Sequence, residues 1–128
     1  MQNRVVVRSL DGTIHKGTTN DFFPQRPVFH VSTRETGDVQ RVDVRALKAV
    51  FFVKSFDGDR SYQERSDVER AGYGKKTAVR FKDGETQVGY TQGYARDRLG
   101  FFFFPSDAEA NNERIFVVNA ATEEVRFV

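Results

Sequence analysis

The chain has 128 residues, 30% of them charged, with 20 Lys and Arg against 18 Asp and Glu, and it contains no cysteine. That length suits one domain or two very small ones, and the missing thiols exclude disulfide frameworks, cysteine nucleophiles and thiolate metal sites. No apolar run approaches the ~20 residues that cross a bilayer and Met1-Gln2-Asn3-Arg4 lacks a signal-peptide core, so a cytoplasmic protein is expected, one whose small positive excess permits nucleic acid without demanding it.

In chain order, Val5 and Val7 alternate with Arg4, Val6 and Arg8, the period of two expected of a half-buried strand. Asp11-Gly12 follows directly and predicts a hairpin, because tight hairpin turns need positive φ, which Gly supplies without steric cost. Further strands are predicted at Ile14 to Thr19, Val28 to Thr33 and Val39 to Val44, with a short turn and a fifth strand over Ala46 to Val53. Lys54 to Lys76 is rich in Asp, Arg, Ser and Gly and reads as a linker, with room for one short helix over Tyr62 to Ala71. The pattern then resumes. Thr77, Val79 and Phe81 alternate with Ala78, Arg80 and Lys82, Asp83-Gly84 makes a second hairpin, and strands follow at Thr86 to Thr91, Gly100 to Phe104, Arg114 to Val118 and within Ala121 to Val128.

The second series copies the first. Val7-Arg8-x-x-Asp11-Gly12-x-x-x-x-Gly17-x-Thr19-x-x-Phe22 recurs 72 positions later, ending on Tyr94, and Phe29 and Val31 fall on Phe101 and Phe103 at the same offset. Val42, Ala46, Val50, Phe52 and Val53 recur identically 75 positions later, so three residues are inserted in the second copy, within Ser106 to Glu113. Five short strands in so few residues expose edges unless the sheet bends and closes, and the mid-strand Gly17 and Gly89 are where it would bend. The expected fold is all-β, two tandem five-stranded small barrels packed together. Residues 1–53 form the first, 54–76 the linker and 77–128 the second.

Asp11-Gly12-x-x-x-x-Gly17-x-x-x-x-Phe22 resembles the first motif of the Sm-like fold, including the bacterial Sm-like RNA chaperone, and Asp83-Gly84, Gly89 and Tyr94 repeat it. Val44-Arg45-Ala46-Leu47-Lys48-Ala49-Val50 resembles the second motif, with Arg45 where the chaperone carries a His at its uridine pocket. The resemblance implies barrels of the Sm-like or SH3-like kind and single-stranded RNA or DNA as a ligand class. Leu47 to Lys54, Gly100 to Phe103 and Asn111 to Val117 are also similar to an uncharacterised bacterial domain.

Alternation places Phe101 and Phe103 inward and leaves Phe102 and Phe104 outward, where the first copy has His30 and Ser32. Outward aromatics need cover. They pack against the other barrel, on Phe51 or Val53, which also fall on the non-core face of their strand, or they dock an external protein or a base-stacking partner. Phe102, Phe104 and Phe51 are therefore the candidate partner-binding residues of a non-catalytic interaction or regulatory module in a bacterial cytoplasm.

The alternative is a single-stranded RNA or DNA binder. Arg8 and Arg80 beside the two turns would then meet phosphates, with Phe22, Phe23, Tyr90 and Tyr94 as stacking platforms; the Sm-like resemblance adds Arg45. A plainer reading makes these residues a solvated strand face with local pairs such as Arg8 with Asp11, since acids are interspersed throughout. His15 and His30 are the only histidines, and no spacing supplies a nucleophile, a phosphate-cradling loop or a metal-ligand cluster. No enzyme, cofactor or metal is expected.

Overall fold

Val, Ile, Thr and Phe at alternating positions set the architecture. The computed structural model describes residues 2–58, 61–65 and 68–128. Ten strands lie among them: β1 (Asn3–Arg8), β2 (Ile14–Thr19), β3 (Val28–Thr33), β4 (Val39–Asp43), β5 (Ala49–Val53), β6 (Lys75–Phe81), β7 (Thr86–Thr91), β8 (Gly100–Pro105), β9 (Asn112–Val118) and β10 (Thr122–Phe127). Short 3-10 turns at Val44–Ala46 and Asn119–Ala121 lead into β5 and β10.

The strands form one antiparallel sheet in the order β10-β6-β7-β8-β9-β5-β1-β2-β3-β4. Each set of five runs fifth, first, second, third, fourth, and the register repeats between sets. Val5 faces Phe52 and Val7 faces Val50, as Thr77 faces Phe127 and Val79 faces Val125. Phe29 faces Val42, as Phe101 faces Val117.

The two hairpin turns form for the reason their sequence gives. Gly12 and Gly84 take φ of 91° and 95°, and Asp11 and Asp83 each accept a hydrogen bond from the backbone N–H two residues on, Thr13 at 2.9 Å and Glu85 at 3.1 Å. Asp11 is thus occupied by its own turn, while Arg8 lies 5.5 Å over the Phe51 ring. Gly17 and Gly89 let the following strand cross at contact distance: a Cβ there would stand 2.1 Å from the Ser32 carbonyl oxygen and 2.2 Å from that of Phe104.

Three expectations are corrected. The sheet is not closed into barrels, because β5 and β9 satisfy each other's edges, Ala49 facing Val117 and Val50 facing Phe116, so neither set must fold on itself to hide them. β1 is not half-buried: Val6 is buried along with Val5 and Val7, since β1 lies between β5 and β2 and Val6 faces Phe51. No helix occupies the described part of 62–71, and Ser66 and Asp67 lie outside the described residues. One apolar cluster spans both sets, running from Val5 and Phe29 to Phe81 and Phe116. Among the described residues no helix is long and apolar enough to cross a membrane.

The inserted residues before β9 hold the segment that leaves β5. Asn111 accepts from the Ser55 N–H at 3.1 Å and donates to the Ser55 carbonyl at 2.9 Å. Asp107, buried, accepts from the Tyr62 hydroxyl and, at 3.0 Å, from the Arg65 N–H. The Tyr62 hydrogen bond, followed by those from backbone N–H groups, holds the Asp107 carboxyl down at about 2 against an ordinary 3.8. A depressed carboxyl stabilises only above its unfolded value, so this clasp is expected to persist at neutral pH and to be lost as pH falls from near 4 toward 2. The Arg65 amide resonance, followed by NMR, should titrate over that range, and Asp107→Asn should remove the transition.

Candidate functional site

The seam between β5 and β9 gathers aromatic side chains around Phe102, one of those that the alternation directs outward. Phe22, arriving from the loop after β2, places its ring 5.1 Å from Phe29, 5.4 Å from Phe52, 5.0 Å from Phe116 and 6.1 Å from Phe102. Most of these contacts are edge-on, the arrangement aromatic quadrupoles favour. Phe102 lies 5.3 Å from Phe116 and 6.1 Å from Phe52. It is half-buried, covered on one side by the first strand set and open on the other.

The open side looks into a cleft of about 650 Å³. Pro24 and Gln25 form one wall, the segment from Gln92 to Leu99 supplies another, and Phe102, Phe104 and Arg114 line it from β8 and β9. Register explains Arg114: it faces Phe52 across the seam. Its guanidinium carbon sits 4.4 Å from the Phe52 ring centre and 4.7 Å from that of Phe102, within cation–π range of both. Burial pushes its pKa down, with the Glu113 charge opposing. Among the described residues it has neither an ion pair nor a hydrogen-bond acceptor for its side chain. A partly desolvated guanidinium between two rings, lacking a carboxylate, suits an anionic group carried beside an apolar one.

The partner-binding candidates separate in the structure. Phe102 and Phe104 both line the cleft, Phe104 with its ring 5.1 Å from Tyr73. Phe51 does not. It is buried against Val6 and Ile115, and Phe102 packs on Phe52 and Phe22 where Phe51 or Val53 was expected.

The nucleic-acid candidates are dispersed. Phe22 is inside the seam, and Phe23 is exposed beneath the Arg26 guanidinium at 4.7 Å. Tyr90 is buried, whereas Tyr94 stacks edge-on to Phe101 at 5.0 Å and Phe127 at 6.1 Å. Arg8 and Arg80 are exposed on β1 and β6, the former in a depression shared with Lys16, Asp57 and Glu85. Arg45 is exposed and paired with Asp43 at 2.8 Å. It nevertheless shares a recess of about 320 Å³ with Arg96 and Arg98, the last of which also borders the main cleft.

Two features were beyond sequence reasoning. Arg114 gave no signal because one of its two aromatic neighbours, Phe52, comes from the other copy. The imidazole Nδ1 of His30 lies 2.7 Å from Asp21 Oδ2, an orienting acid that sequence spacing conceals. Among the described residues no hydroxyl hydrogen-bonds to that imidazole. The described residues also hold no cluster of three His, Asp or Glu fit for a metal ion.

No curated protein and no solved structure matches the chain. Over residues 1–128 it matches a family of unknown function, DUF6982, and it belongs to that family.

Proposed function

We propose that this chain is a non-catalytic binding module acting through protein–protein interaction, built from two Sm-like or SH3-like units that share a sheet and working in a bacterial cytoplasm. Its partner presents a segment with a carboxylate next to an apolar side chain. The observation that carries this reading is Arg114, held between Phe52 and Phe102 at the edge of the cleft and without an ion pair among the described residues. The apolar side chain lies against Phe102 and Phe104, and the carboxylate meets the guanidinium.

Screening a peptide panel that pairs Phe or Leu with a neighbouring Asp or Glu tests it. Hydrogen bonds to a charged group contribute about 1.5–3 kcal/mol, so Arg114→Gln is expected to weaken the best peptide roughly tenfold to a hundredfold. Equal affinity in Arg114→Gln, or no peptide binding at all, would reject the reading. Phe102→Asp with Phe104→Asp is expected to abolish binding in a folded protein; unfolding instead would make these rings purely structural.

The second reading, single-stranded RNA or DNA, draws on the Arg45, Arg96 and Arg98 recess beside the aromatic cleft. Labelled oligonucleotides titrated at low and high salt separate the two readings. Binding that collapses with salt marks phosphate contacts, and no binding at low salt removes nucleic acid from consideration.

A further inference from the structure

The two outermost strands of the sheet are β4 and β10. Their counterparts in the repeat are β9 and β5, and those two pair with each other at the seam, with Phe52 facing Arg114 and Val50 facing Phe116. The molecule thus buries one copy of a joint whose two halves, unpaired among the described residues, it also presents at opposite ends of the sheet. We infer that the chain associates head to tail with further copies of itself through β10 of one copy and β4 of the next.

The repeat fixes the register. Shifting the seam by the 75-residue offset of the closing strands puts Phe127 opposite Val39, Arg126 opposite Gln40, Val125 opposite Arg41 and Glu124 opposite Val42 of the neighbour. Two of the three most exposed large apolar side chains support that pairing. Val39 is 66% exposed and Phe127 50% exposed, and the pairing sets them against each other. Tyr94 and Phe127 repeat the Phe22 and Phe52 contact, at 6.1 Å against 5.4 Å. At the seam Phe102 and Phe116 cover that contact; their counterparts in the neighbour are His30 and Arg41, and the Arg41 guanidinium is able to lie over the same two rings. A joint whose two surfaces differ does not saturate in a dimer; it closes a ring or extends as a filament.

Two replacements weaken the outer joint relative to the inner one. At the seam Lys48 bridges to Asp83 and Glu85 across the two sets. The corresponding residues at the outer joint are Glu123, Asp11 and Thr13, so a carboxylate approaches a carboxylate. Raised salt is therefore expected to favour assembly, and Glu123→Lys to tighten it at least tenfold by recreating the bridge.

Sedimentation equilibrium on the full chain from micromolar to about 1 mM tests this. The wild type should rise above 14.7 kDa with concentration, and Glu123→Lys should do so at lower concentration. Val39→Glu and Phe127→Lys should each keep the protein monomeric with unchanged circular dichroism, both side chains being exposed. The double variant, with opposite charges facing, should restore assembly. A wild type that stays monomeric throughout overturns the inference, as does assembly that both single variants leave intact.

Discussion

Gly89→Ala is expected to destabilise the protein by about 3 kcal/mol, lowering the melting temperature by roughly 10 °C, and Gly17→Ala to do much the same. The methyl would stand 2.2 Å from the Phe104 carbonyl oxygen and 2.7 Å from the Phe103 ring in one case, and 2.1 Å from the Ser32 carbonyl oxygen in the other. These positions tie β7 to β8 and β2 to β3, where pairing is confined to Gly89 with Pro105, Tyr90 with Phe104, Gly17 with Thr33 and Thr18 with Ser32. So short a ladder cannot yield without losing its hydrogen bonds. Gly12→Ala provides the contrast. Its φ of +91° strains an L residue but nothing lies within 4 Å, so a cost of about 1 kcal/mol is expected. Thermal unfolding of the three variants checks the order, and equal losses would refute the steric account.

The Lys48 bridge gives the second large effect. Lys48 is 6% exposed, with its ammonium 2.7 Å from Asp83, 2.5 Å from Glu85 and 4.8 Å above the Phe81 ring. Asp83→Asn with Glu85→Gln strands a buried cation and should cost about 2–3 kcal/mol, a range reduced for the exposure of the two acids. Lys48→Met removes the charge itself and is expected to stay within about 1 kcal/mol of wild type, although it deletes the same ion pairs. A methionine variant less stable than the double amide variant would reverse this ranking.

The bridge also sets a pH window. Burial pulls the Lys48 pKa down, but the hydrogen bonds it donates to Asp83 and Glu85 prevail and hold it above the ordinary 10.5, while the Lys48 bond holds Asp83 below 3.8. The lysine's contribution is present below 10.5 and lost as pH rises through its higher folded value. The aspartate's is present above 3.8 and lost as pH falls. Urea midpoints measured across pH should fall at both ends in wild type, and Lys48→Met should flatten the alkaline limb.

Much of this architecture is legible in the chain because it rests on local physics. Asp-Gly marks both hairpins, and the same offsets that align Val7 with Val79 and Val42 with Val117 recur as equal registers in the sheet. Barrel closure was the wrong extrapolation, since alternation says that an edge needs a partner and does not say which edge provides it. Here Val50 and Phe116, residues of different copies, answer one another. The cleft was half legible. Phe102 and Phe104 follow from alternation alone. Arg114 does not, because part of its environment is made by Phe52 and Pro24, far away in sequence. Phe51 misled for a related reason: an isolated unit leaves its strand edge bare, but Ile115 of β9, from the other copy, flanks it.

The seam also predicts how the molecule breathes. β5 and β9 have neighbours on both flanks and bury Val50 and Phe116 completely, whereas β4 and β10 each have one neighbour. Amide protons of Val50, Phe51 and Ile115 should therefore exchange with deuterated solvent only through global opening, and those of Gln40 and Phe127 by local fraying many orders of magnitude faster.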